Sequence, residues 1–236
     1  MNDYLNYVHS NYPIRRSKEE KENFRKYVLE EANKLGLESS IETIKEHNNV
    51  IIGNHEKAKV IFTAHYDTPA RAIIPNLMMP RNKVLGYLYG FGFPIILSLL
   101  SVLIAYGILN LLSLPFEFLV IIFMVLYLGS FYLLTRAFPN KNNKNDNTSG
   151  VSVILSLMNK SKNQDVAFIL FDNEEKGLLG SKAYNKKHKA NLENKLVINA
   201  DCVGFGNNLL FIAKNDAVKH EYYELLKESV LSNNDY

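Results

Sequence analysis

The chain has 236 residues, 47% of them apolar, with 27 basic and 24 acidic side chains, a net charge of +3 and a single cysteine. That length and apolar content allow one or two domains with a sizeable core. The basic residues are interspersed with acidic ones, which excludes the clustered positive face that a nucleic-acid partner needs. The lone Cys202 excludes a disulfide framework and a zinc–thiolate cluster, so any metal must be held by His, Asp and Glu.

Met1 to Ser17 carries Asp3, Arg15 and Arg16 and no long apolar run, so it is not a secretory signal peptide. Ser17-Lys-Glu-Glu20 fits a capping box, which predicts a helix with apolar positions Phe24, Val28, Leu29 and Ala32 that Gly36 stops. Ser39 to Ile44 and Asn49 to Ile52 read as short strands, with Gly53-Asn54 as a turn. Lys59 to Ala64 is an apolar, β-rich run that delivers His65-Tyr66-Asp67. Asp165 to Phe171 is a second such run and delivers Asp172 to Glu175. Lys195 to Ala200 is a third and delivers Asp201. Helix-like segments, Val151 to Met158 and Gly177 to His188, alternate with them. This pattern predicts an α/β fold with a mixed, largely parallel sheet flanked by helices. Sites in such sheets form at the carboxyl ends of strands, where all three His or acidic clusters fall.

Val84 to Leu112 and Phe118 to Thr135 contain no charged residue, and Asn110, Ser113, Pro115 and Glu117 mark a turn between them. Roughly 20 residues at about 1.5 Å each span a bilayer core. The two runs therefore read as a transmembrane hairpin over 84–135, and a pair of buried core helices is the alternative. Arg71, Arg81 and Lys83 precede the hairpin, Arg136, Lys141 and Lys144 follow it, and the turn has no Lys or Arg. The positive-inside rule then places both ends, and the rest of the chain, on the cytoplasmic side of a cell membrane. Two helices free of ionisable residues make a poor transport path.

Four motifs stand in order: His65-Tyr66-Asp67, Asn145-Asp146-Asn147-Thr148-Ser149-Gly150, Glu174-Glu175 and Asn199-Ala200-Asp201. Each alone is weak. A Glu pair is usually a solvated face, Asp146 could be a helix cap or turn, and Asp201 a loop carboxylate. Their joint order at strand ends is more specific. Ala64-His-Tyr-Asp-Thr68, Asp146-Asn-Thr-Ser-Gly150 and Glu174-Glu-Lys-Gly-Leu-Leu-Gly-Ser181 together resemble the co-catalytic di-zinc peptidases of the leucine aminopeptidase family (M28-like). Glutamate carboxypeptidases and glutaminyl cyclases are related to that family. The resemblance covers about Val50 to Gly204 apart from the apolar insert.

The resemblance implies a zinc-exopeptidase, phosphorylase/hydrolase-like fold, two zinc ions and a peptide substrate. By it His65 binds one zinc, Asp146 bridges both, Glu175 completes the first site and Asp201 binds the second. Glu174 is the general base, and Asp67 orients His65 through its second ring N–H. Aminopeptidase is preferred over carboxypeptidase or cyclase only as the commonest activity of the family.

The chain departs from the family in two ways. The hairpin separates His65 from Asp146, so the peptidase-like domain is discontinuous, 1–83 with 136–236. The family also supplies a final His well downstream. Here His220 is the only His after Asp201, and it lies in Ala217 to Leu226, which reads as an amphipathic helix after a strand at Leu209 to Ala213. There it reads as an exposed helical residue in preference to a ligand. The domain is then expected to lack its C-terminal part and the second zinc site to be incomplete. The expectation is a membrane-anchored zinc aminopeptidase, with a catalytically impaired membrane module as the alternative.

Overall fold

The structure, a computed structural model, describes residues 2–71, 73, 83–161, 165–206, 210, 212–213 and 223–231. It divides into two compact units, Met1–Pro69 with Lys141–Tyr236, and Ala70–Asn140. The second is wider than the hairpin alone.

The first unit is built on a five-stranded sheet with spatial order β1-β2-β4-β3-β5. Its strands are β1 (Ser39–Ile44), β2 (His47–Ile52), β3 (Val60–His65), β4 (Val166–Phe171) and β5 (Leu196–Asn199). β3 runs parallel to β4 on one side and to β5 on the other. β1 and β2 form an antiparallel hairpin that adds to β4, also antiparallel. The sheet is therefore mixed, with a parallel trio where the apolar runs predicted one and a hairpin edge beside it.

Side-chain alternation divides the core into two layers. Val50, Ile52, Ala64, Phe168 and Leu170 face one side, where they pack with residues of α1 (Asn2–Asn11), α2 (Lys18–Lys34) and α5 (Gly150–Lys160). Ile51, Ile61, Ala167 and Ile169 face the other side and pack with Tyr184 of α6 (Leu179–Leu192).

The predicted capping box is present in full. Ser17 Oγ accepts the Glu20 N–H at 3.2 Å and the Glu20 carboxylate accepts the Ser17 N–H at 2.7 Å. Gly36, at φ +71°, follows the last turn. α1 was not legible in the sequence. It is a polar segment fixed by its packing, with Val8 fully buried in the core.

The strand expected over Leu209 to Ala213 is not formed at the described residues 210, 212 and 213. Leu210 and Ile212 are exposed, so the segment has no face to bury. α7 (Tyr223–Leu231) follows. His220 lies outside the described residues.

In the second unit, α3 (Lys83–Leu111) and α4 (Phe118–Thr135) are apolar and long enough to cross a membrane. They pack together, with the rings of Phe93 and Phe131 6.2 Å apart. Leu97, Ser101, Ala105 and Leu109, spaced by four, form a buried stripe on α3. No residue of α4 is buried. Leu103 and Val125 are 67% and 68% exposed, so these are not core helices. The hydroxyls of Ser101 and Thr135 donate to carbonyls one turn back, those of Leu97 and Phe131.

Candidate metal centre

β3 lies between β4 and β5, so the chain leaves it toward β4 and later returns to its other side. Crevices open at such switch points at the carboxyl ends of parallel strands. His65 ends β3, Glu174 and Glu175 follow β4, and Asp201 follows β5. Asp146 comes from an irregular turn, Lys144–Ser149, that leads into α5.

These residues meet around His65, which is buried. Its Nε2 is 3.3 Å from Asp146 Oδ1, 3.7 Å from Asp201 Oδ1 and 3.9 Å from Glu174 Oε2. One ligand atom from each of His65, Asp146 and Asp201 lies within 4.8 Å of the others, and the same holds for His65, Glu174 and Glu175. The resemblance grouped His65 with Asp146 and Glu175. In the structure His65 is common to both sets.

Asp67 is placed differently from expectation. The Nδ1 of His65 is 3.1 Å from the main-chain carbonyl of Asp67 and 3.6 Å from its carboxylate, too far for a hydrogen bond. The carboxylate instead accepts the backbone N–H of Glu174 at 2.9 Å and of Glu175 at 3.1 Å. It therefore fixes the loop that carries both glutamates.

Asn140 to Asn147 is polar and rich in Asn and Lys, which alone would suggest a linker, but its Asn side chains and Ser149 tie the Asp146 turn to the Asp201 loop. Asn147 Nδ2 donates to the Ala200 carbonyl, and its Oδ1 accepts the N–H of Gly150 and Cys202. Asn145 Oδ1 accepts the N–H of Gly204 and Phe205, and Ser149 Oγ that of Val203. Gly150 is required here, because a Cβ on it would come within 2.3 Å of the Ala200 carbonyl oxygen.

A row of buried cations supports the loops from the α2 side. Lys21 donates to Asp172 at 2.6 Å and to Asn173 at 2.7 Å, just before the glutamate pair. Arg25 donates to the Tyr66 hydroxyl at 2.8 Å. Sequence reasoning missed both. Lys21, Phe24, Arg25, Val28 and Ala32 share one buried helical stripe, and that spacing was the only signal.

The electrostatics call for a cation. Burial, then the neighbouring Asp146 carboxylate, push the Glu175 carboxyl up to about 8. Burial likewise raises Glu174, with Asp67, Asp201 and Asp146 adding to the rise against the opposing pull of His65. Burial would lower the His65 imidazole, but the Asp146, Asp201 and Asp67 carboxylates outweigh it and hold it up to about 12. Among the described residues no Lys or Arg forms an ion pair with Asp146, Glu174, Glu175 or Asp201. Carboxylate and imidazole donors gathered without a Lys or Arg among them are the donor set that zinc accepts, so the residues present fit a metal.

Residues 138–235 match the model of peptidase family M28. No curated protein matches the chain. The matched stretch holds Asp146, Glu174, Glu175 and Asp201, while His65 and Asp67 precede it. Over that stretch the chain is similar to peptidase family M28, a family of zinc-dependent metallopeptidases.

Proposed function

We propose that the protein is a membrane-anchored di-zinc aminopeptidase whose site faces the cytoplasm. The reading rests on one observation above all: His65, Asp146, Glu174, Glu175 and Asp201, from four separate segments, converge at the carboxyl ends of β3, β4 and β5. Bound zinc would supply Lewis-acid polarisation of the scissile carbonyl and a water acidic enough to attack at neutral pH.

The residues divide the remaining work. His65, Asp146, Glu175 and Asp201 would hold the ions, with Asp146 serving both. The Asp67 carbonyl fixes the ring of His65 by accepting from Nδ1, leaving Nε2 for the metal. Glu174 takes a proton from the attacking water on its carboxylate and hands it to the departing amine. The Asp67 clamp on the Glu174 and Glu175 amides keeps the base and the ligand in register.

The membrane reading is supported by two apolar helices whose side chains are largely exposed and whose Ser101 and Thr135 hydroxyls bond within their own helix. Basic residues flank both ends of the hairpin and its turn has none.

The experiment is hydrolysis of amino-acyl chromogenic substrates, with a free or an acetylated α-amine, by detergent-purified full-length protein loaded with Zn²⁺. Wild type should cleave the free-amine substrate. Glu174→Gln should lower kcat by about 10²–10⁴-fold, the range for removing a general base, with its zinc content retained. Zinc-loaded wild type that cleaves neither substrate would refute the proposal.

A further inference from the structure

We infer that Arg15, outside every motif of the site, is a positioning residue that locks the His65 turn to the Asp146 turn. The inference rests on the metal-centre reading above. Arg15 is fully buried. Its Nε donates to the Tyr66 carbonyl at 2.5 Å, its Nη1 to the Tyr12 carbonyl at 2.7 Å and its Nη2 to Thr148 Oγ1 at 3.1 Å. Tyr66 lies between His65 and Asp67, and Thr148 lies two residues after Asp146. One rigid guanidinium therefore reaches both turns at once.

The main chain around Arg15 reinforces the link. Its N–H donates to Thr68 Oγ1 at 3.0 Å, and its carbonyl accepts the Thr68 N–H at 3.3 Å. The neighbouring Pro13 carbonyl accepts from Asn143 Nδ2, and Asn143 Oδ1 in turn accepts from the Thr148 hydroxyl. The segment from Tyr12 to Arg15 thus grips residues on both sides of Asp146 and on both sides of Asp67.

Two arguments favour positioning over stability. All three acceptors of the guanidinium are neutral and among the described residues it forms no ion pair, the Asp67 charge acting on it only at a distance, so an apolar side chain could fill the same space at lower cost. The two turns it joins are also separated in the chain by the whole of α3 and α4. The planar fork of Arg spreads its donors over three nitrogens, whereas Lys carries all of its donors on one and cannot span acceptors this far apart.

The test titrates Co²⁺ into metal-free full-length protein in detergent, reading affinity by calorimetry and coordination by ligand-field absorption. Arg15→Lys keeps the charge and loses the fork. Thr148→Val keeps the volume and removes the one acceptor on the Asp146 turn. Each should weaken Co²⁺ binding about 10–100-fold, the cost of losing a group that orients ligands, and should alter the absorption of the bound ion. The double variant should be worse by less than the sum of the two single effects, because the Arg15–Thr148 bond is common to both. If a folded Arg15→Lys binds Co²⁺ with wild-type affinity and spectrum, the inference is overturned. If Arg15→Lys does not fold, Thr148→Val decides: unchanged affinity and spectrum overturn the inference, and weakened binding supports it. Wild type that binds no Co²⁺ would instead overturn the metal-centre reading, and the inference with it.

Discussion

The carboxylate of Asp67 accepts the backbone N–H of Glu174 at 2.9 Å, and its second oxygen accepts that of Glu175 at 3.1 Å. An ionised carboxylate can receive two amides at once. A side-chain amide of the same shape can receive only one, because its NH2 would face the other donor. Asp67→Asn should therefore displace the glutamate loop while leaving His65 in place, since the Asp67 main-chain carbonyl that accepts from Nδ1 survives the change. The expected result is a metal affinity about 10–100-fold lower with an unchanged His65 tautomer by nitrogen NMR. A changed tautomer with unaltered affinity would show that the carboxylate acts on the imidazole instead.

Gly150 couples the Asp146 turn to the Asp201 loop by contact. A Cβ there would lie 2.3 Å from the Ala200 carbonyl oxygen and 2.5 Å from Asn147 Oδ1. The first is backbone in register with the sheet, and the second is held by the N–H groups of Gly150 and Cys202, so neither can yield cheaply. Gly150→Ala should cost about 1–3 kcal/mol of stability, the range for overpacking a filled site. It should also lower zinc content, because relief of the clash moves Asp201 away from Asp146. Thermal melting and metal analysis of the same sample would check both, and a wild-type zinc content would count against the coupling.

Much of this arrangement is readable from the chain. The runs ending at His65, Phe171 and Asn199 are short, near-continuously apolar and rich in Val, Ile and Phe, so strand, burial (on both faces for the first two) and the delivery of acid to one sheet edge follow together. What could not be read is how the ligand turns are held. Asn145, Asn147 and Ser149 look like a polar linker because Asn and Ser favour irregular backbone, yet their side chains satisfy four backbone amides of the Asp201 loop, and that of Gly150 in their own segment. Arg15, Lys21 and Arg25 look solvated, since cations are rarely buried without a paired charge. Their partners are carbonyls, hydroxyls and a carboxylate far away in the chain. The strand expected near Leu210 had the right residue types, but β propensity counts only where a partner edge and a face to bury exist.

Glu42 gives a pH-dependent test remote from the metal centre. Burial raises its carboxyl, but hydrogen bonds from Lys187 at 2.7 Å and His188 at 2.8 Å outweigh it, so its pKa ends below the ordinary 4.5. An acid with a lowered folded-state pKa contributes stability that is present above its unfolded value and is lost as pH falls through the folded one. Glu42→Gln should then destabilise the protein at pH 7 by about 1 kcal/mol, by loosening α6 from β1. The difference should shrink as pH drops below about 4.5. Melting curves of both proteins across pH 3–7 (approximate bounds that bracket carboxylate titration) would reveal it. A difference that stays constant over that range would mean that the charge of Glu42 contributes nothing.

The hairpin topology can be tested with the one native thiol as internal reference. Cys202 is exposed, follows Asp201, and by the proposed orientation sits on the cytoplasmic side. The turn between α3 and α4 holds Ser113 and has no basic residue, so it should lie on the opposite side. In intact cells a membrane-impermeant maleimide should label Ser113→Cys in a Cys202→Ser background and leave wild type unlabelled. Wild type should become reactive only after the membrane is opened. Adding three lysines to the turn should weaken or reverse this pattern, because the distribution of basic residues sets orientation. If both thiols react equally in intact cells, one of two ideas fails: that the hairpin spans the bilayer, or that the catalytic unit faces inward. Alkaline extraction separates them, since a spanning hairpin stays with the membrane and a peripheral one is released.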